Sequence, residues 1–216
     1  MGSKPLTGRW LWAVDFDGTV TVQDTLELLT GRHAPEAHAA AEEALVAGEI
    51  TLEECIRREF APIRGDHDAL VAEAVAETRV RPGFAGFVQA ARAAGHRVVV
   101  ISSGFASIIR PVLEGAGVSD MELIANDIRF TPAGGVVTFA DGAVCDVCGE
   151  RCKRPRVAAL DGALPVAYMG DGWSDRCAAM AADLRFARAS LARFLAAQGI
   201  AYVQFEDFDH VRKEHL

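Results

Sequence analysis

The stretch LWAVDFDGTV, residues 11–20, decides the fold because an apolar run ends there in two acids. Residues 10–16 have the character of a buried β-strand. Asp15 and Asp17 close that run, with Phe16 between them. Burying one carboxylate costs free energy, and burying two close together costs more. The pair therefore indicates a functional site at the end of a buried strand.

The composition is typical of a globular protein with one sizeable core. The chain has 216 residues, of which 50% are hydrophobic and 24% charged. No apolar run approaches the ~20 residues that span a bilayer, and the first residues lack a signal-peptide pattern. We therefore expect a cytoplasmic protein with no membrane partner. The net charge of −8 argues against a nucleic-acid partner.

The remaining chain predicts one sheet and one helical insertion. Residues 22–80 lack a clear strand and contain three segments of helical length, PEAHAAAEEALVAGE, TLEECIRREFAPI and DHDALVAEAVAETRV. Beyond Pro82 and Gly83, helical segments alternate with short apolar runs, which favours a parallel sheet covered on both faces. The predicted fold class is α/β, a doubly wound parallel sheet formed by residues 1–21 and 81–216, with the α-helical insertion after the first strand.

Polar residues follow several of the predicted strands. In open parallel sheets, ligands bind beyond the carboxyl ends of the strands, so these residues are expected to meet. One of them lies at the start of the helix that precedes the PVAYM strand. The residues concerned are Asp15, Asp17, Ser102, Lys153, Asp171 and Asp175.

Their chemistry indicates a phosphate site with a metal ion. Carboxylates that converge require a cation, and Mg²⁺ is usually held by a few carboxylates together with substrate phosphate. Ser102 can donate to a phosphoryl oxygen, and Lys153 can offset its charge. Asp15 is the candidate nucleophile, because carboxylates can form aspartyl-phosphates. Asp17 can protonate the leaving oxygen and then activate water.

Each motif taken alone also has an ordinary structural explanation. An Asp-Gly pair is a common turn, Ser174 could cap a helix, and Lys153 could be a solvated surface residue. Ser102 could be a strand-end hydroxyl with no further role. The order of the motifs and their positions at strand ends favour the functional interpretation.

With these residues assigned, the chain resembles the haloacid dehalogenase superfamily in its phosphoserine-phosphatase-like branch. DFDGTVT, ISSG, Lys153 and GDGWSD match the four motifs in order, and residues 22–80 match the helical cap that closes over the substrate. The resemblance implies that Asp15 is nucleophile and metal ligand, and that Asp17 is acid/base and binds the metal through its backbone carbonyl. It further implies phosphate binding by Ser102 and Lys153, metal binding by Asp171, and support of the metal by Asp175.

The resemblance also narrows the reaction. Dehalogenases of the superfamily lack an acid at the position of Asp17, because halide leaves without a proton. Its presence here favours a phosphatase acting on a small phosphorylated metabolite. Phosphomutases share both acids, so a phosphomutase or phosphotransferase remains an alternative. Relatives often form dimers, so a homodimer is also expected.

Closer resemblances leave the substrate open. The segment from GDGWSD to the end, and the run CGERCK, are similar to the methionine-salvage phosphatases that act on 2-hydroxy-3-keto-5-methylthiopentenyl-1-phosphate. The run CDVCGERCK also resembles the phosphoethanolamine/phosphocholine phosphatases. A phosphoserine phosphatase is a further alternative.

Five residues are the candidate substrate contacts. Asp24 lies where phosphoserine phosphatases read the substrate amine, and Arg57 lies near their carboxylate-binding arginine. Ser103 replaces a glycine of the second motif, beside Gly104, and adds a side chain close to the phosphate. Trp173 replaces a small residue of the fourth motif and could narrow the pocket or stack on the substrate.

Three cysteines precede Lys153 closely. Cys145, Cys148 and Cys152 have gaps that suit thiolates on a tetrahedral Zn²⁺. A structural zinc site normally has four ligands, and the fourth could be Asp146, Cys177 or a histidine from elsewhere. Of the two interpretations, we favour free thiols that pack a loop and not cysteines that bind a zinc ion. The odd total of five cysteines also argues against a disulfide framework.

Overall fold

The computed structural model describes residues 6–160 and 162–216. Within these residues seven strands form one sheet in the order β4-β3-β2-β1-β5-β6-β7, and only the β3–β4 pair is antiparallel. The strands are β1 Leu11–Val14, β2 Arg97–Phe105, β3 Glu122–Thr131, β4 Gly134–Thr138, β5 Val166–Gly170, β6 Leu184–Ala187 and β7 Val203–Gln204. Strand β1 therefore lies at the centre of the sheet, as a strand that carries a catalytic site does in doubly wound folds.

Ten α-helices occur in the part of the chain that is described. No helix there is long and apolar enough to cross a membrane. The helices are α1 Thr25–His33, α2 Pro35–Val46, α3 Leu52–Phe60, α4 His67–Glu77, α5 Phe84–Ala93, α6 Ala106–Gly115, α7 Lys153–Ala158, α8 Arg176–Ala181, α9 Ala189–Ala197 and α10 Phe208–His215.

Two hydrophobic clusters cover the two faces of the sheet. Alternate residues of a strand point to opposite faces, and β1 follows this rule. Trp12 and Val14 pack with α5 and α10, whereas Leu11 and Ala13 pack with α8 and α9. The ring of Trp12 meets Phe87 edge-on, with centroids 5.0 Å apart. The predicted doubly wound α/β fold is confirmed.

The insertion contains four helices, one more than the sequence indicated. The three predicted segments correspond to α2, α3 and α4, and α1 precedes them. Helix α1 has a weak apolar pattern, and its clearest signal is its N-cap, since the side chain of Asp24 accepts from the backbone N–H groups of Leu26 and Glu27. We retain residues 22–80 as the proposed cap.

The insertion packs against the edge of the sheet. Phe60 of α3 lies in one cluster with Phe105 at the end of β2 and with Phe130 of β3. The β3–β4 turn comes so close to α3 that a Cβ at Gly134 would lie 2.2 Å from the carbonyl oxygen of Ala61. Glycine is required by this contact, which fixes the helices beside the carboxyl ends of the strands.

Candidate active site

A buried lysine joins two of the predicted acids. Lys153, at the start of α7, donates hydrogen bonds to Oδ1 of Asp15 and, over 2.7 Å, to Oδ1 of Asp175. All three side chains are at most 5% exposed. Burial alone would lower the pKa of Lys153, but the charges of Asp15 and Asp175 raise it above its usual value. The lysine therefore stays protonated between the two carboxylates.

Burial and neighbouring like charges raise the pKa values of two acids at the strand ends. Burial, followed by the charge of Asp175, raises the pKa of Asp15 well above its usual range. The same two causes raise the pKa of Asp171 to about 7. Ligand oxygens of Asp15, Asp171 and Asp175 lie within 4.8 Å of one another. Such a set is stabilised by a cation, and carboxylate oxygens suit Mg²⁺.

Asp17 is held by hydrogen bonds on both of its oxygens. Its Oδ1 accepts from the backbone N–H of Thr25 over 2.9 Å and from the hydroxyl of Thr25 over 2.5 Å. Its Oδ2 accepts from the hydroxyl of Ser102 over 3.2 Å. Burial outweighs these bonds and raises the pKa of Asp17. A raised pKa places Asp17 closer to the range of an effective general acid.

Two glycines let backbone approach the acids. Gly18 has φ +71°, and a Cβ there would lie 2.3 Å from Oδ2 of Asp171. A Cβ at Gly104 would lie 2.6 Å from Oδ2 of Asp17. Both positions therefore require glycine if the carboxylates are to keep their places.

Two arginines fix the loop that follows Asp17. Arg81, only 7% exposed, donates to the carbonyl oxygens of Gly18 and Thr19 over 3.0 and 2.9 Å. Arg188 donates to the same carbonyl of Gly18 over 3.0 Å. Neither arginine stands in a recognisable motif, and sequence reasoning missed both. Their donors hold the β1 loop without touching the acids themselves.

Asp175 is saturated with donors. Besides Lys153, its Oδ1 accepts from the hydroxyl of Tyr168 over 2.7 Å. Its Oδ2 accepts from the backbone N–H groups of Asp171 and Gly172, each over 2.9 Å. Four donors occupy the lone pairs of a fully buried carboxylate. This arrangement suits a residue that positions Lys153 and the loop around Asp171.

Tyr168→Phe tests this positioning. The hydroxyl of Tyr168 is buried, and its removal leaves Asp175 with three donors. We expect the free energy of unfolding to fall by about 1–2 kcal/mol and kcat to fall more than KM rises, since Lys153 would be less well fixed. Thermal unfolding and steady-state kinetics measure both, with Tyr202→Phe, at a partly exposed position, as the matched control. Wild-type behaviour of Tyr168→Phe would refute the positioning role.

Two adjoining cavities lie at the site on the side of the insertion, and the smaller one reaches the acids. A cavity of about 320 Å³ contains Asp15 and Asp17 and is walled by acids of α1–α3 and the α1 N-cap. A second cavity of about 540 Å³ extends past Lys153 and carries apolar side chains. The two share five lining residues, namely Leu52, Ile56, Ser103, Trp173 and Ser174. A substrate could therefore place its phosphate at Asp15 and extend into either chamber.

Four of the five candidate substrate contacts line these cavities. Asp24, Ser103, Gly104 and Trp173 line the smaller cavity, although the Asp24 carboxylate also caps α1. Trp173 is 46% exposed, and the Arg176 guanidinium lies over its ring at 3.8 Å.

Arg57 is not brought to the site. Its side chain is 52% exposed and forms an ion pair with Glu54 over 2.5 Å. Arg57 lines neither cavity. Helical phase explains this, because the buried residues of α3 include Ile56 and Phe60 and leave Arg57 on the outer face.

Comparison with known proteins identifies the family. The family model described as haloacid dehalogenase-like hydrolase matches residues 13–180. A phosphatase from Exiguobacterium sp. strain AT1b, named for 2-hydroxy-3-keto-5-methylthiopentenyl-1-phosphate, is 29% identical over 202 residues, covering 90% of this chain and 91% of the relative. The "Bifunctional enzyme MtnB/MtnX" of Bacillus licheniformis is 30% identical over 92% of this chain, which spans only 47% of that longer protein.

The fold has solved counterparts. The structure titled "Phospho-Aspartyl Intermediate Analogue of Phosphoserine phosphatase" superposes with a TM-score of 0.72, at 17% identity, over 97% of this chain and 100% of that one. At this identity the likeness concerns the fold alone. Since the family model matches from β1 into α8 and contains every acid of the site, the chain belongs to the haloacid dehalogenase-like hydrolases.

Proposed function

We propose that the protein is a Mg²⁺-dependent phosphatase that hydrolyses a small phosphorylated metabolite through an aspartyl-phosphate on Asp15. The observation that carries this proposal is the meeting of buried Asp15 and Lys153 with the half-buried Asp17 in one site at the end of β1. A binding protein would have little need for two acids with separate hydrogen-bond partners at this point.

The residues present fit a magnesium ion. Asp15 and Asp171 would bind it through their carboxylates, and Asp17 through its backbone carbonyl, as in the resemblance. When bound, Mg²⁺ offsets the negative charge of the acids and of the phosphate. Burial and the charge of Asp175 raise the pKa values of Asp15 and Asp171, which supports this assignment because a bound cation would favour the ionised form of both carboxylates.

The protein's own residues divide the reaction into two displacements. A carboxylate oxygen of Asp15 attacks phosphorus, the ester P–O bond breaks, and the leaving oxygen takes the proton of Asp17. Water then attacks the phosphorus and gives a proton to Asp17, and the bond between phosphorus and Asp15 breaks. Ser102 and Lys153 hold phosphoryl oxygens in both steps. The products are the alcohol and inorganic phosphate, and Asp17 is again protonated.

The larger cavity favours a substrate with an apolar end. Its walls include Ile56, Phe139, Val144, Val147 and Met180. A phosphorylated keto-enol with a methylthio group, such as the compound for which the relatives are named, would place its phosphate at Asp15 and its apolar tail there.

The acidic wall favours a second candidate, an amine-bearing phosphate ester. Asp24, Glu27, Glu42 and Glu59 line the smaller cavity, and His38 pairs with Glu59 over 2.7 Å. A substrate ammonium group would be attracted to these carboxylates. Phosphoethanolamine, phosphocholine and phosphoserine belong to this class.

Phosphate release from a panel of esters tests the proposal. The panel contains the methylthio substrate, the three amine-bearing esters, sugar phosphates and nucleotides, each with Mg²⁺ and with chelator. We expect Mg²⁺-dependent release with one preferred ester and none from Asp15→Asn. Transfer to an added acceptor, without free phosphate, would indicate a phosphotransferase instead. Equal release by wild type and Asp15→Asn would refute the mechanism.

The variant Asp171→Asn tests how the charge of Asp171 affects the stability of the protein without Mg²⁺. Below pH 4 the Asp171 carboxyl is protonated in both the folded and unfolded chain, so its charge has no effect on stability. Its folded pKa of about 7 lies above its usual value of 3.8, so its ionisation destabilises the fold increasingly between pH 4 and 7 and fully above pH 7. In chelator at pH 8 we therefore expect Asp171→Asn to have a higher melting temperature than wild type.

Magnesium should reverse that order. We expect Mg²⁺ at fixed ionic strength to raise the melting temperature of wild type and to leave Asp171→Asn unchanged, because the variant lacks a ligand. Asp183→Asn, whose carboxylate lies outside both cavities, is the control. An equal Mg²⁺ response in Asp171→Asn and wild type would exclude Asp171 as a ligand.

A further inference from the structure

A second group of potential metal ligands lies beside the active site. Four of the five cysteines, Cys145, Cys148, Cys152 and Cys177, have their Sγ atoms within 4.8 Å of one another. None of the five forms a disulfide. The first three belong to the loop before α7, and Cys177 belongs to α8. The structure therefore supplies the fourth sulfur that sequence spacing alone left open.

The geometry suits one tetrahedral ion. Zinc–sulfur bonds of about 2.3 Å place tetrahedral sulfurs about 3.8 Å apart, so four thiols within 4.8 Å need only small adjustments. Asp146, the other local candidate, has a side chain that is 84% exposed. Four sulfurs fill a tetrahedral site and leave no position for water or substrate, which is typical of structural zinc.

The backbone around Cys145 suits a metal-bound thiolate. The N–H groups of Cys148 and Val147 donate hydrogen bonds to the sulfur of Cys145. Donors of this kind stabilise and orient a metal ligand. A bound dication would favour the thiolate at every position.

A cross-link of this kind would help to hold the loop in one conformation. Residues 139–152 contain no helix or strand, and Val144 and Val147 are 62% and 54% exposed. Its internal backbone hydrogen bonds include Cys145 N–H to Glu150 and Gly149 N–H to Cys145. A segment with so little apolar burial has little of its own to hold one conformation. Metal ligation commonly takes that role.

We propose that Cys145, Cys148, Cys152 and Cys177 bind one structural Zn²⁺ that ties the loop before Lys153 to helix α8. Lys153 directly follows Cys152, and Asp175 stands two residues before Cys177. Those two residues form the 2.7 Å ion pair of the active site. The zinc therefore fixes the two segments that carry this pair. The site is independent of Mg²⁺, because its ligands are all sulfur.

Metal content and cobalt substitution test the proposal. Protein purified without chelator should contain one zinc per chain by elemental analysis. After removal of zinc, Co²⁺ should bind in a 1:1 ratio with the intense visible absorption of tetrahedral thiolate coordination. Absence of stoichiometric zinc, together with failure of the chelated protein to bind Co²⁺ or Zn²⁺, would overturn the proposal. Disulfides among these cysteines in freshly purified, unreduced protein would do the same.

Variants assign the ligands. Cys177→Ser should lose the four-sulfur cobalt spectrum and most of its zinc, whereas Cys55→Ser, which changes the one cysteine outside the cluster, should keep both. If Cys177→Ser fails to fold, the thermal stability of wild-type protein with and without Zn²⁺ still tests the proposal. In wild-type protein stripped of metal, Zn²⁺ should raise the melting temperature by about 10 °C beyond the shift that Mg²⁺ produces. An unchanged cobalt spectrum in Cys177→Ser, or no shift with Zn²⁺, would contradict the assignment.

Discussion

Asp15→Asn is expected to lower kcat by about 10⁴-fold or more on every substrate that the protein accepts. The amide of asparagine is not a nucleophile, so the first displacement has no attacking atom. The substitution keeps the size of the side chain and retains a carbonyl oxygen for the hydrogen bond from Lys153. Steady-state phosphate release measures the loss, and mass spectrometry excludes reversion by deamidation.

The fold should survive this substitution. Burial and the charge of Asp175 already disfavour the ionised form of Asp15, so a neutral side chain removes an unfavourable charge from the uncomplexed site. In chelator, we expect the melting temperature of Asp15→Asn to lie at most a few degrees below that of wild type. Near-wild-type turnover by a well-folded Asp15→Asn protein would exclude Asp15 as the nucleophile.

Asp17→Asn should lower kcat for alkyl phosphates by about 10²–10⁴-fold, because no acid then protonates the leaving oxygen. The amide can still accept from Ser102 or Thr25, so the loop should keep its conformation. The loss should depend on the leaving group. The nitrophenolate group of an aryl ester such as para-nitrophenyl phosphate leaves without a proton, so the first displacement with this ester should be much less affected.

The second displacement should then limit turnover of the aryl ester. Asp17 also activates the attacking water, so the variant should release nitrophenol in a rapid burst equal to the enzyme concentration, followed by a slow phase. Stopped-flow absorbance measures the burst. Equal losses for aryl and alkyl esters, with no burst, would show that Asp17 acts in another way. The matched control is Ser174→Ala, which changes a residue that lines the same cavity but has no carboxyl group.

The sequence was sufficient to predict those residues of the candidate site that belong to local motifs. The acids of β1 follow an apolar strand directly, and Asp171 follows β5 in the same way. Because the strands are parallel, their carboxyl ends meet, and the sheet order places β1 beside β5. The meeting of Asp15, Lys153 and Asp171 could therefore be predicted without coordinates.

The supporting residues could not be predicted, since long-range packing selects them. Tyr168 lies in the apolar run of β5, and only the fold shows its hydroxyl at Asp175. Arg81 lies 62 residues from Thr19, whose carbonyl it binds. Cys177 was one of several candidate fourth ligands in the sequence, and only the packing of α8 against α7 brings it to the other cysteines. Arg57, predicted as a substrate contact, lies on the outer face of α3 and pairs with Glu54, because helical phase and not the motif sets its direction.

The most direct test of the proposed mechanism is to locate the phosphoryl group during turnover. Asp17→Asn would be mixed with para-nitrophenyl phosphate and Mg²⁺, quenched in acid during the slow phase, digested and mapped by mass spectrometry. An aspartyl-phosphate mechanism predicts a hydroxylamine-sensitive phosphate on Asp15, and none in the double variant that also carries Asp15→Asn. Nitrophenol release without a phosphorylated peptide, or with the phosphate on another residue, would contradict it.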